Sequence, residues 1–135
     1  MASQMVMDAV EARLSAWTRC PIIGFNTVGE PPADASEFLR VQFPVVDETQ
    51  ISVGAPGSQL FREEGGIWFA LCIPVGKSIK PYGAWIDELR DLFRAKQFDG
   101  VSTYEAPPAT QDNDAENGNY VRQSFVVEYY ADILR

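Results

Sequence analysis

A continuous apolar segment at residues 67–74 constrains the fold of this chain more than any other feature. Ile67 and Phe69 lie on one side of the extended segment, and Trp68 and Ala70 lie on the other. A strand with two apolar faces belongs in the middle of a sheet, where both faces are covered. We therefore expect a central strand whose second face packs against a helix or against another subunit.

Periodic patterns on both sides of that segment predict the remaining elements. Apolar residues recur every three or four positions from Gln4 to Arg19, after Ser3 as N-cap, and again over residues 81–96. The predicted strands are Phe38–Val46, Ile67–Pro74, Val101–Glu105 and Tyr120–Ala131. The prediction is a single α+β domain over residues 1–135, with an antiparallel sheet of about four to five strands, two main helices and the order α-β-β-α-β-β.

The absence of histidine excludes the commonest catalytic and metal-binding arrangements. A Ser–His–Asp triad, a Cys–His pair and an imidazole base or ligand all need it. Cys20 and Cys72 are too few for a zinc site, and their surroundings favour two buried, reduced thiols over one disulfide. We therefore expect no cofactor, no metal and no enzymatic activity. Neither a signal peptide nor an apolar run of about 20 residues is visible, so we also expect no membrane span.

Two short motifs each lack part of the chemistry that they resemble. Gly76–Ser78 lies between a strand and a helix like a phosphate-binding loop, but the glycine needed five residues earlier is Leu71. Residues 112–118 begin like a calcium loop, but its sixth and twelfth positions are Asn117 and Gln123. A strand-to-helix turn and a solvated hairpin loop are the favoured interpretations, and weak calcium binding stays open.

Paired carboxylates are the remaining candidates for general acid–base chemistry. Glu63 and Glu64 precede a predicted turn at Gly65–Gly66, and Asp87 and Asp91 lie on the polar face of the second helix. Neither pair is expected to be desolvated, so neither should have the perturbed pKa of a catalytic acid.

Several aromatic residues are expected on strand faces that point away from the core. These candidates for an oligomer or partner interface are Phe61, Trp68, Tyr120 and Tyr130. Two helices cover one face of a sheet well and the other poorly, which indicates assembly or a binding partner. The alternative is that the N-terminal helix covers these aromatic side chains.

The order of elements and short motifs resembles the tail terminator (tail completion) proteins of tailed bacteriophages, over about residues 4–131. The matching segments after the N-terminal helix are Phe38–Val41, Arg62-x-x-Gly65–Trp68 running to Pro74, the helix ending Leu92–Phe93, Gly100–Val101 to Pro107–Pro108, and Tyr120–Arg122 to Glu128–Ala131. The resemblance is one of pattern and length, and it carries no catalytic signature.

This resemblance implies a structural protein of the virion, made in the cytoplasm of the host bacterium. Members of the family form a hexameric ring that caps the tail tube, stops its polymerisation and presents a surface to the head-side connector. The implied partners are other copies of the chain, the tail tube protein and a head-side connector or neck protein. DNA would only pass through the lumen, and no membrane is involved.

The net charge of −8 suits a ring through which DNA slides, because an acidic lumen repels phosphate. The candidate lumen acids lie in two predicted loops: Glu63, Glu64, Asp112, Asp114 and Glu116. Two alternatives stay open. One is another neck or tail component; the other is a small α+β enzyme of the isomerase or dehydratase type, a dimer with an enclosed apolar cavity and a buried carboxylate.

Overall fold

The structure, a computed structural model, describes residues 2–24, 37–55, 57, 59–113 and 120–134. Two helices and eight strands are present in this part of the chain. In chain order they are α1 (Gln4–Leu14), β1 (Ile22–Ile23), β2 (Phe38–Gln42), β3 (Val46–Gln50), β4 (Leu60–Pro74), α2 (Lys80–Phe93), β5 (Gln97–Phe98), β6 (Val101–Thr103), β7 (Thr110–Asn113) and β8 (Tyr120–Leu134).

All eight strands belong to one sheet built around a long antiparallel pair, β4 and β8. The register of this pair runs from Leu60 opposite Leu134 to Pro74 opposite Tyr120. β2 and β3 lie along the other side of β4, while β6 and β7 lie along the other side of β8. The expectation of a central strand at residues 67–74 is therefore confirmed.

The sheet is larger than predicted and is not purely antiparallel. The α+β class and the two helices are confirmed, but β1 pairs with β2 in parallel and the observed order is α-β-β-β-β-α-β-β-β-β. The strands that the prediction missed, such as β1, β5 and β7, have only two to four residues. So short a segment holds too few residues to show alternation, and its pairing depends on a neighbouring strand.

Pro44 divides the strand that was predicted over Phe38–Val46. Proline has no N–H to donate to a neighbouring strand, and residues 43–45 lie between β2 and β3 outside both strands. The Val45 carbonyl instead accepts a hydrogen bond of 3.1 Å from the Gly66 N–H. Val45 was predicted to face the core, and its side chain is 68% exposed.

The predicted turn at Gly65–Gly66 is instead part of β4. A Cβ atom on Gly65 would lie 2.5 Å from the Val45 carbonyl oxygen and 3.1 Å from the Tyr129 ring, and one on Gly66 would lie 2.8 Å from Val126 Cγ1. These glycines therefore mark a close approach within the sheet, and the strand continues through them.

Both helices pack on the same face of the sheet, which we call the helix face. The residues predicted to be buried by the first helix, which are Val6, Val10 and Leu14 of α1 and Trp17 just after it, join one core with the α2 residues Tyr82, Ile86, Leu89 and Phe93. Each helix ends a few residues before its predicted end. The Trp17 indole N–H donates a 3.1 Å hydrogen bond to the Trp85 carbonyl and links the chain after α1 to α2.

Candidate interaction surface

The face of the sheet opposite the helices, which we call the outer face, is built from the even-numbered residues of β4 and β8. Trp68 pairs with Val126, Gly66 with Glu128 and Glu64 with Tyr130. Odd-numbered residues of the same strands, such as Ile67 and Val127, lie in the core beneath the helices. Neither described helix covers the outer face, so the alternative in which α1 covers Trp68 is wrong.

One end of the outer face carries a small apolar cluster of its own. Ile23, Phe38, Cys72 and Tyr120 are buried together, and the Phe38 and Tyr120 rings meet edge to face at 5.1 Å. Tyr120 is only 3% exposed, so the expectation of an exposed aromatic side chain is wrong at this position. One residue in the sequence could have predicted this burial. Phe38 lies on the opposite face of its strand from Leu39 and Val41, so it indicates a second apolar patch.

Trp68 and Tyr130 lie on the outer face as expected, and each is half-buried beneath an arginine. The Arg122 guanidinium lies 5.3 Å from the Trp68 ring centre, and that of Arg62 lies 4.5 Å from the Tyr130 ring centre. Arg62 also binds both carboxylate oxygens of Asp132, at 2.8 and 3.0 Å. That pairing lowers the pKa of Asp132. Stacked guanidinium groups thus hold both aromatic rings in place.

Between these two aromatic residues the outer face has a depression, because Gly66 places no side chain opposite Glu128. A groove of about 560 Å³ and an adjoining one of about 330 Å³ share Tyr104, Val126 and Glu128. Tyr104 is 46% and Val126 is 38% exposed.

We call this feature the acidic groove and define it by Val45, Asp47, Glu64, Gly66, Tyr104, Val126 and Glu128. Asp47, Glu64 and Glu128 are exposed carboxylates, and none of them forms an ion pair with the described residues. A groove that combines exposed apolar side chains with carboxylates suits a partner that brings apolar and positively charged side chains.

Glu63 differs most from its prediction. It lies within β4 and is 4% exposed, so it belongs to neither a loop nor a solvated pair. Its Oε2 accepts hydrogen bonds from the Tyr129 hydroxyl at 2.7 Å and from the Ser3 N–H at 3.2 Å. Burial, followed by the bond to Glu63, raises the pKa of Tyr129. Its odd number places Glu63 on the helix face, a signal hidden by the assumed turn at Gly65–Gly66.

A buried carboxylate is one feature that the enzyme alternative predicted. Glu63, however, lines neither of the two grooves on the outer face. Both partners of Glu63 hold it in a structural role, joining the N-cap position of α1 to β8. A carboxylate at a helix N-terminus is stabilised by the partial positive charge there.

The other predicted residues are dispersed. Phe61 was expected on the outer face with Trp68, but its odd number places it on the helix face. There it is half-buried and lies opposite Ile133. Asp112 was assigned to a loop but lies in β7, opposite Arg122. Asp114 and Glu116 lie outside the described residues, as does most of the calcium-like segment.

The thiols agree with the sequence interpretation. No disulfide joins Cys20 and Cys72; Cys72 is buried and Cys20 is half-buried. Burial, with smaller contributions from Glu37 and Cys72, raises the pKa of Cys20 to about 12. Within the described ranges, no group of three metal-ligating side chains comes together. No described helix has the length and apolar character needed to cross a membrane.

Among the described residues, the sheet packs against both helices on one face and carries a groove with exposed apolar and acidic side chains on the other, which defines an α+β protein with a surface suited to a macromolecular partner. The family model described as "Phage tail terminator protein" matches residues 5–129, so the chain belongs to the phage tail terminator family. The resemblance drawn from the sequence is therefore confirmed, and the chain is a phage tail protein.

A solved structure of another protein has a fold similar to that of this chain. One solved chain superposes with a TM-score of 0.66 at 20% sequence identity, over 100% of this chain and 98% of its own length. Similarity at that level of identity establishes the fold alone. No curated protein matches the sequence.

Proposed function

We propose that this chain is the ring-forming subunit that caps a phage tail tube, stops its polymerisation and offers the head-side connector a joining surface. Membership of the tail terminator family supports the general role. The observation that carries the ring is the outer face, on which Tyr104 and Val126 are exposed beside carboxylates that form no ion pair with the described residues. Exposed apolar area of this kind is stabilised when a neighbouring subunit covers it.

The proposed partners are other copies of the chain, the tail tube protein and a head-side connector or neck protein. The proposed place of action is the virion, at the junction of head and tail. No catalytic step is assigned to the chain, because the buried carboxylate Glu63 is occupied by structural hydrogen bonds.

An acidic lumen remains part of the proposal, with a smaller set of residues. Glu63 is buried and cannot face a channel, while Glu64 lies in the acidic groove on the sheet. The segment carrying Asp112, Asp114 and Glu116 is therefore the candidate lining. Replacing its three acids with lysine should make the assembled protein retain DNA, because phosphate would be attracted. Unchanged infectivity together with no DNA binding would refute this role.

Solution mass and imaging provide the first test. Light scattering over a range of concentrations should detect a species near 90 kDa, corresponding to six subunits of 15.0 kDa, and particles on a grid should show a central hole. Added to polymerising tail tube protein, the wild-type chain should shorten the tubes. A closed dimer without a hole, or a chain that leaves tube length unchanged, would refute the proposal.

A further inference from the structure

The turn between β4 and α2 brings together apolar and positively charged side chains on the surface. Val75 is 62% and Ile79 is 45% exposed, and Lys77 and Lys80 lie between and beside them. No other described segment combines two exposed large apolar side chains with two lysines within six residues. We call residues 75–80, which are this turn and the first residue of α2, the basic turn.

Four arginines already have acidic partners within the described part of the chain. Arg19, Arg62, Arg90 and Arg94 form ion pairs with Glu88, Asp132, Asp87 and Asp91. Lys77 reaches Glu37 only at 3.5 Å through an exposed contact, and Lys80 forms no ion pair with the described residues. Exposed pairs of this kind contribute little to stability, so Lys77 can exchange its partner at small cost.

The basic turn complements the acidic groove in apolar character and in charge. The groove offers Val45, Tyr104 and Val126 to apolar side chains, and its carboxylates lie at the rim. Two copies of a chain with a net charge of −8 repel each other unless cations of one copy meet anions of the other. Contact between these two surfaces provides that compensation.

The two surfaces cannot meet within one copy. Pro74, directly before the basic turn, and Gly66, at the groove, are eight positions apart along extended β4. At the rise of a β-strand this corresponds to roughly 26 Å. Each copy therefore presents the turn and the groove at different places. When the turn of one copy docks into the groove of a second copy, the pair still has one free turn and one free groove. Such a heterologous contact closes into a ring when the rotation permits.

We propose that the basic turn of one copy docks into the acidic groove of the next and forms the repeating contact of the ring. This inference rests on the proposed function, since it assigns the surfaces through which the proposed ring closes. Lys77 and Lys80 meet Glu64 and Glu128 of the neighbouring copy, while Val75 and Ile79 cover Tyr104 and Val126.

Charge exchange in the full-length protein tests the contact. Lys77→Glu with Lys80→Glu, or Glu64→Lys with Glu128→Lys, places like charges opposite each other and should raise the dissociation constant of self-association at least about 100-fold. Combining all four substitutions in one chain restores the opposite charges. Mixing the two double variants does the same, so both combinations should recover assembly to within about tenfold of the wild type.

Matched controls separate the contact from a general effect of charge. The groove variant lowers the net negative charge and so reduces general repulsion, yet it should lose assembly. Asp8→Lys with Glu11→Lys changes the charge equally on the exposed side of α1 and should assemble normally. Lys96→Glu, which makes half the charge change of the turn variant, is the control for the turn. Unchanged circular dichroism and unfolding midpoints in each variant would show that folding is intact.

Each result decides between the proposals. Loss in both double variants with recovery in the combined chain supports the docking contact. A wild type that forms rings while the exchanges have no effect overturns the docking contact and leaves the proposed function standing. A wild type that is monomeric at every concentration and does not shorten tail tubes overturns both.

Discussion

Replacing the buried carboxylate of Glu63 should destabilise the fold more than replacing any exposed acid of the same strand. Glu63→Ala removes the acceptor of two hydrogen bonds at once, from the buried Tyr129 hydroxyl at 2.7 Å and from the Ser3 N–H at 3.2 Å. The two donors belong to β8 and to the start of α1, so one side chain connects three elements. The expected result is a loss of global stability, because these elements share the main core.

The magnitude follows from the two bonds. A buried hydroxyl that loses a charged acceptor costs about 1–3 kcal/mol. Loss of an anion beside a helix N-terminus costs about 0.3–1 kcal/mol. Glu63→Ala should therefore lower the free energy of unfolding by about 1–4 kcal/mol. Glu63→Gln keeps a carbonyl oxygen for Tyr129 and loses only the charge, so it should cost about 1 kcal/mol.

Urea unfolding below the concentration of self-association measures this difference. Glu64→Ala is the matched control, since Glu64 is the exposed neighbour on the other face of β4, and it should change stability by less than about 0.5 kcal/mol. A double-mutant cycle with Tyr129→Phe isolates the bond between the two side chains and should give a coupling energy of about 1 kcal/mol or more. A cost for Glu63→Ala as small as that of Glu64→Ala, or a coupling near zero, would refute the reasoning.

Three further predictions concern the packing of glycine and two titrating groups. Gly65→Ala should lower the free energy of unfolding by about 1–3 kcal/mol, because the new Cβ would lie 2.5 Å from the Val45 carbonyl oxygen. Gly83→Ala in α2 is the contrasting case, since its new Cβ meets no atom within 4 Å, and it should raise that free energy by about 0.5–1 kcal/mol. Thermal unfolding measures both. The pKa of Tyr129 is higher in the folded protein than its ordinary value of 10.0, so this group stabilises the fold below pH 10 and loses that contribution as the pH rises further. The free energy of unfolding of the wild type should therefore fall more steeply above about pH 10 than that of Tyr129→Phe. Parallel curves of unfolding free energy against pH would contradict this. Cys20, with a pKa raised to about 12, should react with thiol reagents at pH 8 at least about 100-fold more slowly in the native than in the unfolded protein, and equal rates would contradict its burial.

Some features of this protein were determined by local sequence alone. The stripe of α2 from Tyr82 to Phe93 repeats over several turns, and the apolar run Ile67–Pro74 repeats over both faces of a strand. Such patterns predict a helix or a strand because the spacing of apolar residues along the chain decides which of them share a face. The family resemblance depended on the same order of elements.

The surface for partners was predictable only in part. Trp68 and Tyr130 were expected on the outer face and lie there, but the groove between them is lined by side chains of β3, β4, β8 and the segment after β6. Gly66 creates the depression because of what lies opposite it in β8. No pattern along one segment indicates that arrangement.

Tertiary structure alone decided the environment of Glu63 and Tyr120. Tyr120 is buried by Phe38, which lies 82 positions earlier, and Glu63 accepts its shortest hydrogen bond from a residue 66 positions away. Local sequence determines which face of a strand a side chain occupies, since successive residues alternate. Whether that face is covered depends on segments brought together only when the chain folds, and burial, pairing and proton affinity follow from that contact.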